Sequence, residues 1–120
     1  MNFVDDDDVA EFEKCALVGI TVGVGSFVLT FKNDNSIVMS CRFEATINGC
    51  GFEGHGEEPE TSSLLFSLLN SNVASSSLLS DGSIVLLFSG GDKLKIIPEP
   101  NGLESFVMLT KRGISPMITG

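Results

Sequence analysis

The sequence predicts a mainly β, α+β fold: internally duplicated antiparallel β-meanders packed as a sandwich or half-barrel, with one short helix between the halves. Three observations lead there. Shifting the chain by 57 residues lays residues 26–39, SFVLTFKNDNSIVM, over residues 83–96, SIVLLFSGGDKLKI. In that register Phe27, Leu29 and Phe31 fall on Ile84, Leu86 and Phe88, and Ile37 and Met39 fall on Leu94 and Ile96, alternate apolar positions that share one face of a strand. Between them, Asn33-Asp34-Asn35 corresponds to Gly90-Gly91-Asp92, residue types that tolerate positive φ and close a hairpin.

The remaining elements follow in order. Residues 1–14 form an acidic N-terminal arm with a solvated character. A strand over 17–24 precedes the first hairpin and another over 73–79 precedes the second, with turn signals at Gly25-Ser26 and Asp81-Gly82. The third strand of the first meander, which occupies 15–50, runs on through Cys41 and Phe43 with Ser40 and Arg42 alternating outward, and a short strand near 45–47 follows. Residues 51–60, rich in glycine and acids, read as a loop. A helix over 61–70 has Pro59 before it, Thr61 or Ser62 to cap it, and Leu64, Leu65, Leu68 and Leu69 at helical spacing. The second meander and a closing strand occupy 71–113: Pro98 and Pro100 break the sheet and residues 103–109 form the last strand, leaving 114–120 as a frayed tail. The period is too long and the copies too few for a solenoid.

All 120 residues suffice for one domain with its own core, and 42% are apolar, including nine Phe with no Trp or Tyr. The formal charge is −9, and it is localised. Asp5, Asp6, Asp7, Asp8, Glu11 and Glu13 against Lys14 contribute −5, and Glu53, Glu57, Glu58 and Glu60 contribute the other −4; elsewhere acids and bases cancel. Charge gathered on two segments creates a local field that steers a basic partner, and its sign opposes direct nucleic-acid binding, which needs a basic stripe. Those ten acids, with Phe52 as an aromatic anchor inside the second segment, are the candidate partner-binding residues.

Three cysteines, Cys15, Cys41 and Cys50, are an odd number without a CxxC, which argues against a disulfide framework and for a reducing compartment. The acidic N-terminus lacks the bases of a secretory signal, and the glycine-interrupted apolar run over 17–24 is too short to span a bilayer, so a cytoplasmic location is expected.

Catalytic and metal chemistry find little support. His55 lies five residues after Cys50, but a cysteine nucleophile with a histidine base needs an orienting group and an oxyanion site, and no recognised arrangement supplies them; an exposed loop histidine is expected. Cys41, Cys50 and His55 lack zinc-ligand spacing, and the four consecutive aspartates lack the alternation, glycine and distal glutamate of a calcium loop. The glycine-rich strings contain no GxGxxG and no P-loop lysine. Cys41, in phase with Met39 and Phe43, belongs to the core. No enzyme activity, cofactor or metal is expected.

Leu17-x-Gly19 with Val22, a strand ending in Phe31 before a polar turn, the echo Val73, Asp81-Gly82-Ser83 and Phe88-x-Gly90-Gly91, and the closing Leu103-Glu104-Ser105-Phe106 together resemble a family of small bacterial proteins encoded beside polymorphic toxins. The resemblance covers roughly residues 16–113 and rests on structural motifs; the chain departs from the family pattern in lacking Tyr and Trp and in its acidic entry segment. What the resemblance implies is an immunity protein of contact-dependent growth inhibition, which binds and neutralises a cognate toxin domain. It also implies that the toxin is a basic nuclease, which the acidic charge would suit. The competing reading is a structural or assembly module whose edge strands self-associate.

Overall fold

The computed structural model describes residues 3–120, and its ten strands form two five-stranded antiparallel sheets. The strands are β1 (Leu17–Val22), β2 (Phe27–Phe31), β3 (Ser36–Met39), β4 (Arg42–Ile47), β5 (Cys50–His55), β6 (Val73–Leu78), β7 (Ile84–Phe88), β8 (Lys93–Ile97), β9 (Glu104–Thr110) and β10 (Gly113–Ile118). One sheet runs β1-β2-β3-β9-β10 and the other β5-β4-β8-β7-β6. This is a β-sandwich, with α1 (Asp6–Ala10) and a 3-10 helix (Pro59–Leu68) at its sides.

Alternation explains the strands. Phe27, Leu29, Phe31, Ile37 and Met39 from one meander and Ile84, Leu86, Phe88, Leu94 and Ile96 from the other are all nearly inaccessible, and they fill the space between the sheets. Phe31 and Phe88 are 1% and 2% exposed. The pairings match the 57-residue register: Phe27 opposes Met39 as Ile84 opposes Ile96, and Leu29 opposes Ile37 as Leu86 opposes Leu94. Asp34 and Gly91 close the two hairpins with φ of 69° and 98°. A register shift interrupts β1 between Leu17 and Gly19 and β6 between Val73 and Ser75, so even the bulges recur.

Several expectations change. The third strand does not run on through Phe43. After Met39 the chain crosses to the other sheet, where β4 pairs with β8 and β5 rather than extending β3. The apolar alternation stays in phase through the crossing, because Met39, Cys41 and Phe43 all face the core from whichever sheet carries them. The crossing is tight: at Gly56, whose N–H donates to the Cys41 carbonyl at 2.9 Å, a Cβ would overlap the Met39 carbonyl. The second hairpin, β9–β10, crosses in the opposite sense to pair with β3, so 113–118 is a strand and not a frayed tail. Pro116 fits there because β10 is an edge strand.

The helix expected over 61–70 is a 3-10 helix over Pro59–Leu68. Ser62, Leu65 and Leu68 are its buried residues, a spacing of three that suits three residues per turn. Within the acidic arm expected over 1–14, of which residues 1–2 lie outside the described residues, Asp6–Ala10 forms a helix followed by turns. Asp5 caps α1 through a reciprocal capping box with Asp8: the Asp8 N–H donates to Asp5 Oδ1 at 2.9 Å and the Asp5 N–H to Asp8 Oδ2 at 3.1 Å. Val4, Val9 and Phe12 enter the core, and the Phe12 ring meets Phe31 edge-on with centroids 4.9 Å apart. The capped turn lets these three apolar side chains bury despite the four aspartates.

Each half therefore has the same order of elements: a helix, a three-stranded meander, and a hairpin that crosses to the opposite sheet. Val9 and Phe12 correspond to Leu65 and Leu68 at an offset of 56 residues. The halves meet where Ala16 bridges Asn72, with Leu17 N–H donating to the Ser71 carbonyl and Val73 N–H to the Cys15 carbonyl, both at 3.0 Å. The flanking segments cover the sheet edges. Ser76 on β6 bonds to Val9 and Glu13, Val4 N–H reaches Pro116 on β10, and His55 N–H at the end of β5 donates to Thr61 Oγ1. Such covering blunts the unpaired groups on which edge-to-edge association depends. No helix among the described residues is long and apolar enough to cross a membrane.

Candidate functional site

Local structure sorts the acids into engaged and free. In the N-terminal segment, Asp8 is buried and its Oδ1 accepts from Arg112 Nε at 3.0 Å, while Arg112 Nη2 reaches Asp5 Oδ2 at 3.4 Å. The hydrogen bond from Asp8 N–H, helped by Arg112, holds the Asp5 carboxyl below its usual range, and the bond to Asp8 raises the Arg112 guanidinium. Glu11 lies 3.6 Å from Lys111, and its carbonyl accepts the side-chain amides of Asn33 and Asn35. Glu13 Oε2 accepts the Ser76 N–H at 3.0 Å. Four of the six acids assigned to a steering arm are thus tied into the fold. Asp6 and Asp7 remain exposed in the first turn of α1, where the helix dipole favours them.

The second acidic segment is not one loop. Cys50, Phe52 and Glu53 lie on β5, because Asn48 and Gly49, with φ of 51° and 82°, form the two-residue turn of a tight β4–β5 hairpin. Glu53 pairs with Arg42 at 2.8 Å, and Arg42 also lies 3.4 Å from Glu44, so this carboxylate is partly neutralised at the surface. Glu57, Glu58 and Glu60 are exposed around the start of the 3-10 helix. Among the described residues, neither Glu58 nor Glu60 has a salt-bridge partner, and Glu57 has only His55, at 3.8 Å.

Phe52 opposes Ala45 across the hairpin and is 42% exposed, whereas Ala45 is fully buried. The difference arises because β5 is the outer strand of its sheet, so its inward-facing residues overhang the core. A cleft of about 170 Å³ opens here, lined by Glu44, Ala45, Thr46, Gly51, Phe52 and Glu53. An aromatic at a cleft flanked by carboxylates can insert into a partner while the acids meet its bases.

His55 differs from the exposed loop residue expected. It ends β5, its side chain is 20% exposed, Nδ1 accepts the Glu57 N–H at 3.0 Å and Nε2 meets Glu99 at 2.5 Å. An Nδ1 that accepts leaves the proton on Nε2, where it donates to Glu99. Both ring nitrogens are thereby engaged in holding the β5 end, the Glu57 backbone ahead of the 3-10 helix and Glu99 together. Cys50 is exposed near the hairpin turn, whereas Cys41 is buried and its thiol is pushed up to about 12, by burial first and by Glu99 second. No three His, Cys, Asp or Glu side chains among the described residues are grouped to hold a metal ion.

The two acidic segments are not joined. Among the described residues no hydrogen bond or ion pair links them. Asp6 and Asp7 stand on a helix packed beside β6, while Glu57, Glu58 and Glu60 surround a helix packed on β5 and β1. The sequence had no means of locating the bases that sort them, because Arg112 and Lys111 lie at the far end of the chain and Arg42 on a neighbouring strand. Fold and surface together define a two-sheet antiparallel β-sandwich with exposed acids at the start of its 3-10 helix and an exposed aromatic on the adjoining edge strand. No protein-family model, curated protein or solved structure matches the chain.

Proposed function

We propose that this protein is a bacterial immunity protein that binds a cognate toxin domain, a basic nuclease, in the cytosol and neutralises it, with the corner formed by Phe52, Glu53, Glu57, Glu58 and Glu60 as its main contact. The observation that carries the reading is Phe52, 42% exposed at a cleft lined by Glu44 and Glu53, on the strand whose far end leads into the exposed Glu57, Glu58 and Glu60. Exposed acids without an Arg or Lys partner form a site of attraction for a basic surface, and the aromatic supplies the desolvated anchor that charge alone does not. The resemblance to proteins encoded beside polymorphic toxins supports the same direction. Asp6 and Asp7, standing apart from the corner, contribute steering rather than contact.

The experiment measures binding kinetics across a salt series, using a catalytically inactive version of the cognate toxin domain. Neutralising Asp6 and Asp7 slows association and flattens its salt dependence with little change in dissociation. Removing a glutamate that becomes desolvated against a toxin Arg or Lys speeds dissociation and costs about 2–5 kcal/mol. Phe52→Ala costs about 2 kcal/mol or more if the ring is the anchor. Unchanged association, dissociation and salt slope after neutralising Asp6, Asp7, Glu57, Glu58 and Glu60 together would end the acidic-interface reading.

A further inference from the structure

The free edge of β5 is open over a short, defined window. Asn48-Gly49 is a two-residue turn, so Ile47 and Cys50 exchange the first pair of backbone bonds of the hairpin, and every second residue after Cys50 bonds back to β4. Two bonds at the other end fix the same phase. Gly56 N–H donates to the Cys41 carbonyl at 2.9 Å, and His55 N–H turns away from β4 to donate to Thr61 Oγ1 at 3.1 Å. Gly51 and Glu53 share the phase of His55, so the N–H and C=O of both point off the edge of the sheet. Among the described residues nothing bonds to those four groups. The 3-10 helix covers only the end of the strand, where Thr61 meets Gly54 and His55; residues 50–53 are exposed and Gly54 is buried.

We propose that this window takes up an extended basic segment of a partner protein as a sixth strand of the second sheet. Its location rests on the reading of Phe52 and the neighbouring acids as a partner contact; the mode of contact is the new step. Backbone bonds to Gly51 and Glu53 attach the segment whatever its sequence, and side chains on the two faces select it. The partner residue opposite Phe52 falls on the inner face, where an apolar side chain completes the cover over a ring left 42% exposed. The partner residues opposite Gly51 and Glu53 fall on the outer face. Gly51 brings no side chain there, and a Cβ at that position would meet nothing within 4 Å. The cleft of about 170 Å³ that it shares with Glu44, Thr46 and Glu53 therefore has room for a long basic side chain from the next strand. The motif that fits is base, apolar, base.

Charge selects this occupant. Residues 50–60 hold Glu53, Glu57, Glu58 and Glu60 and no Lys or Arg. The Glu53 side chain is 66% exposed even with Arg42 on it, so it can accept a second cation from the open side of the strand. The same acids oppose a second copy of the chain, because joining two β5 edges brings like charges together with no base on either edge to offset them.

Amide hydrogen exchange on the whole isotope-labelled chain, read residue by residue by NMR, tests the mode with a defined probe: a capped peptide of alternating Lys and Val, about nine residues long. At about 1 mM peptide, exchange at Gly51 and Glu53 should slow at least about fivefold, while Phe52 and Gly54, already bonded to β4, change little. An equally charged peptide N-methylated at its Lys residues cannot form the ladder and should give no protection. Gly51→Pro removes one outward N–H at an edge position that tolerates Pro; it should stay folded by circular dichroism and weaken peptide binding, read at Glu53, at least about tenfold. Phe52→Thr, at an exposed side chain, should weaken it in the same direction. Protection that is absent, equal with the methylated peptide, or undiminished in either folded variant overturns the strand addition. So does protection in the protein alone that grows with its concentration, which would put a second copy on the edge. Toxin binding that survives Gly51→Pro unchanged overturns it too and leaves the acidic interface standing, whereas peptide uptake without any toxin binding sinks only the immunity reading.

Discussion

Cys41 and Cys50 lie at opposite ends of the β4–β5 hairpin and in opposite environments. Cys41 faces the core at the sheet crossing, where burial and Glu99 raise its thiol to about 12, while Cys50 is exposed on an edge strand. Cys15 is between them, half-buried, with its thiol raised by burial and by Glu11. Because the thiolate is the nucleophile, alkylation at about pH 8 should label Cys50 first, Cys15 slowly, and Cys41 only after denaturation. Time-resolved intact mass spectrometry with site mapping reads the order, and native labelling of Cys41 as fast as Cys50 would contradict the buried crossing. The linkage has a definite sign. The unfolded Cys41 thiol ionises near 9.0 and the folded one not until about 12, so its burial makes the protein lose stability as pH rises above about 9.

Among the elements, α1 differs most from expectation. Four aspartates suggested a solvated arm, yet two of them cap the helix and one of these is buried on Arg112. The readable signal was the spacing of Val9 and Phe12, which recurs 56 residues later in Leu65 and Leu68, but the charges beside it masked it. Phe12→Ala should cost about 3–5 kcal/mol and lower the melting temperature by roughly 10–20 °C. Neutralising Asp6 and Asp7 should leave it nearly unchanged. Thermal denaturation of the two variants separates a structural helix from a steering arm. The β2–β3 and β7–β8 hairpins, by contrast, were legible, because alternation and turn chemistry are local. The sheet crossings were not, since a strand that changes sheets while keeping its apolar face inward leaves no break in its pattern.

At the scale of the molecule, charge is distributed by side. The second sheet carries Lys93, Lys95, Arg42, Glu44 and Glu53 in near balance, the outward-facing strand positions of the first sheet carry none, and acids without an Arg or Lys partner stand at the helix starts, as Asp6, Asp7, Glu57, Glu58 and Glu60, and at the hairpin turns, as Asp34, Asp81 and Asp92. The sequence located the acidic segments because position along the chain is enough to count charge. It did not distinguish Glu53, paired to Arg42, from Glu58 and Glu60, because neutralisation depends on neighbours brought together only by folding. It likewise did not show the uncharged face, whose residues come from five strands far apart in the chain.

The crossing hairpins make each half of the chain the completion of the other. Residues before Gly56 supply three strands to one sheet and two to its companion, and residues after Glu58 do the reverse, so neither half owns a finished sheet. The peptide linkage between them is then topologically dispensable: what unites the halves is strand exchange, and the tether only fixes their stoichiometry and local concentration. A protease site inserted between Glu57 and Glu58 should, once cut, leave two fragments that co-elute on size exclusion and melt together, with a melting temperature that has become dependent on concentration. Fragments that separate under native conditions at micromolar concentration would show the tether to be essential. If they remain together, the two half-chains constitute a split protein whose reassembly can be made conditional on bringing their carriers into proximity.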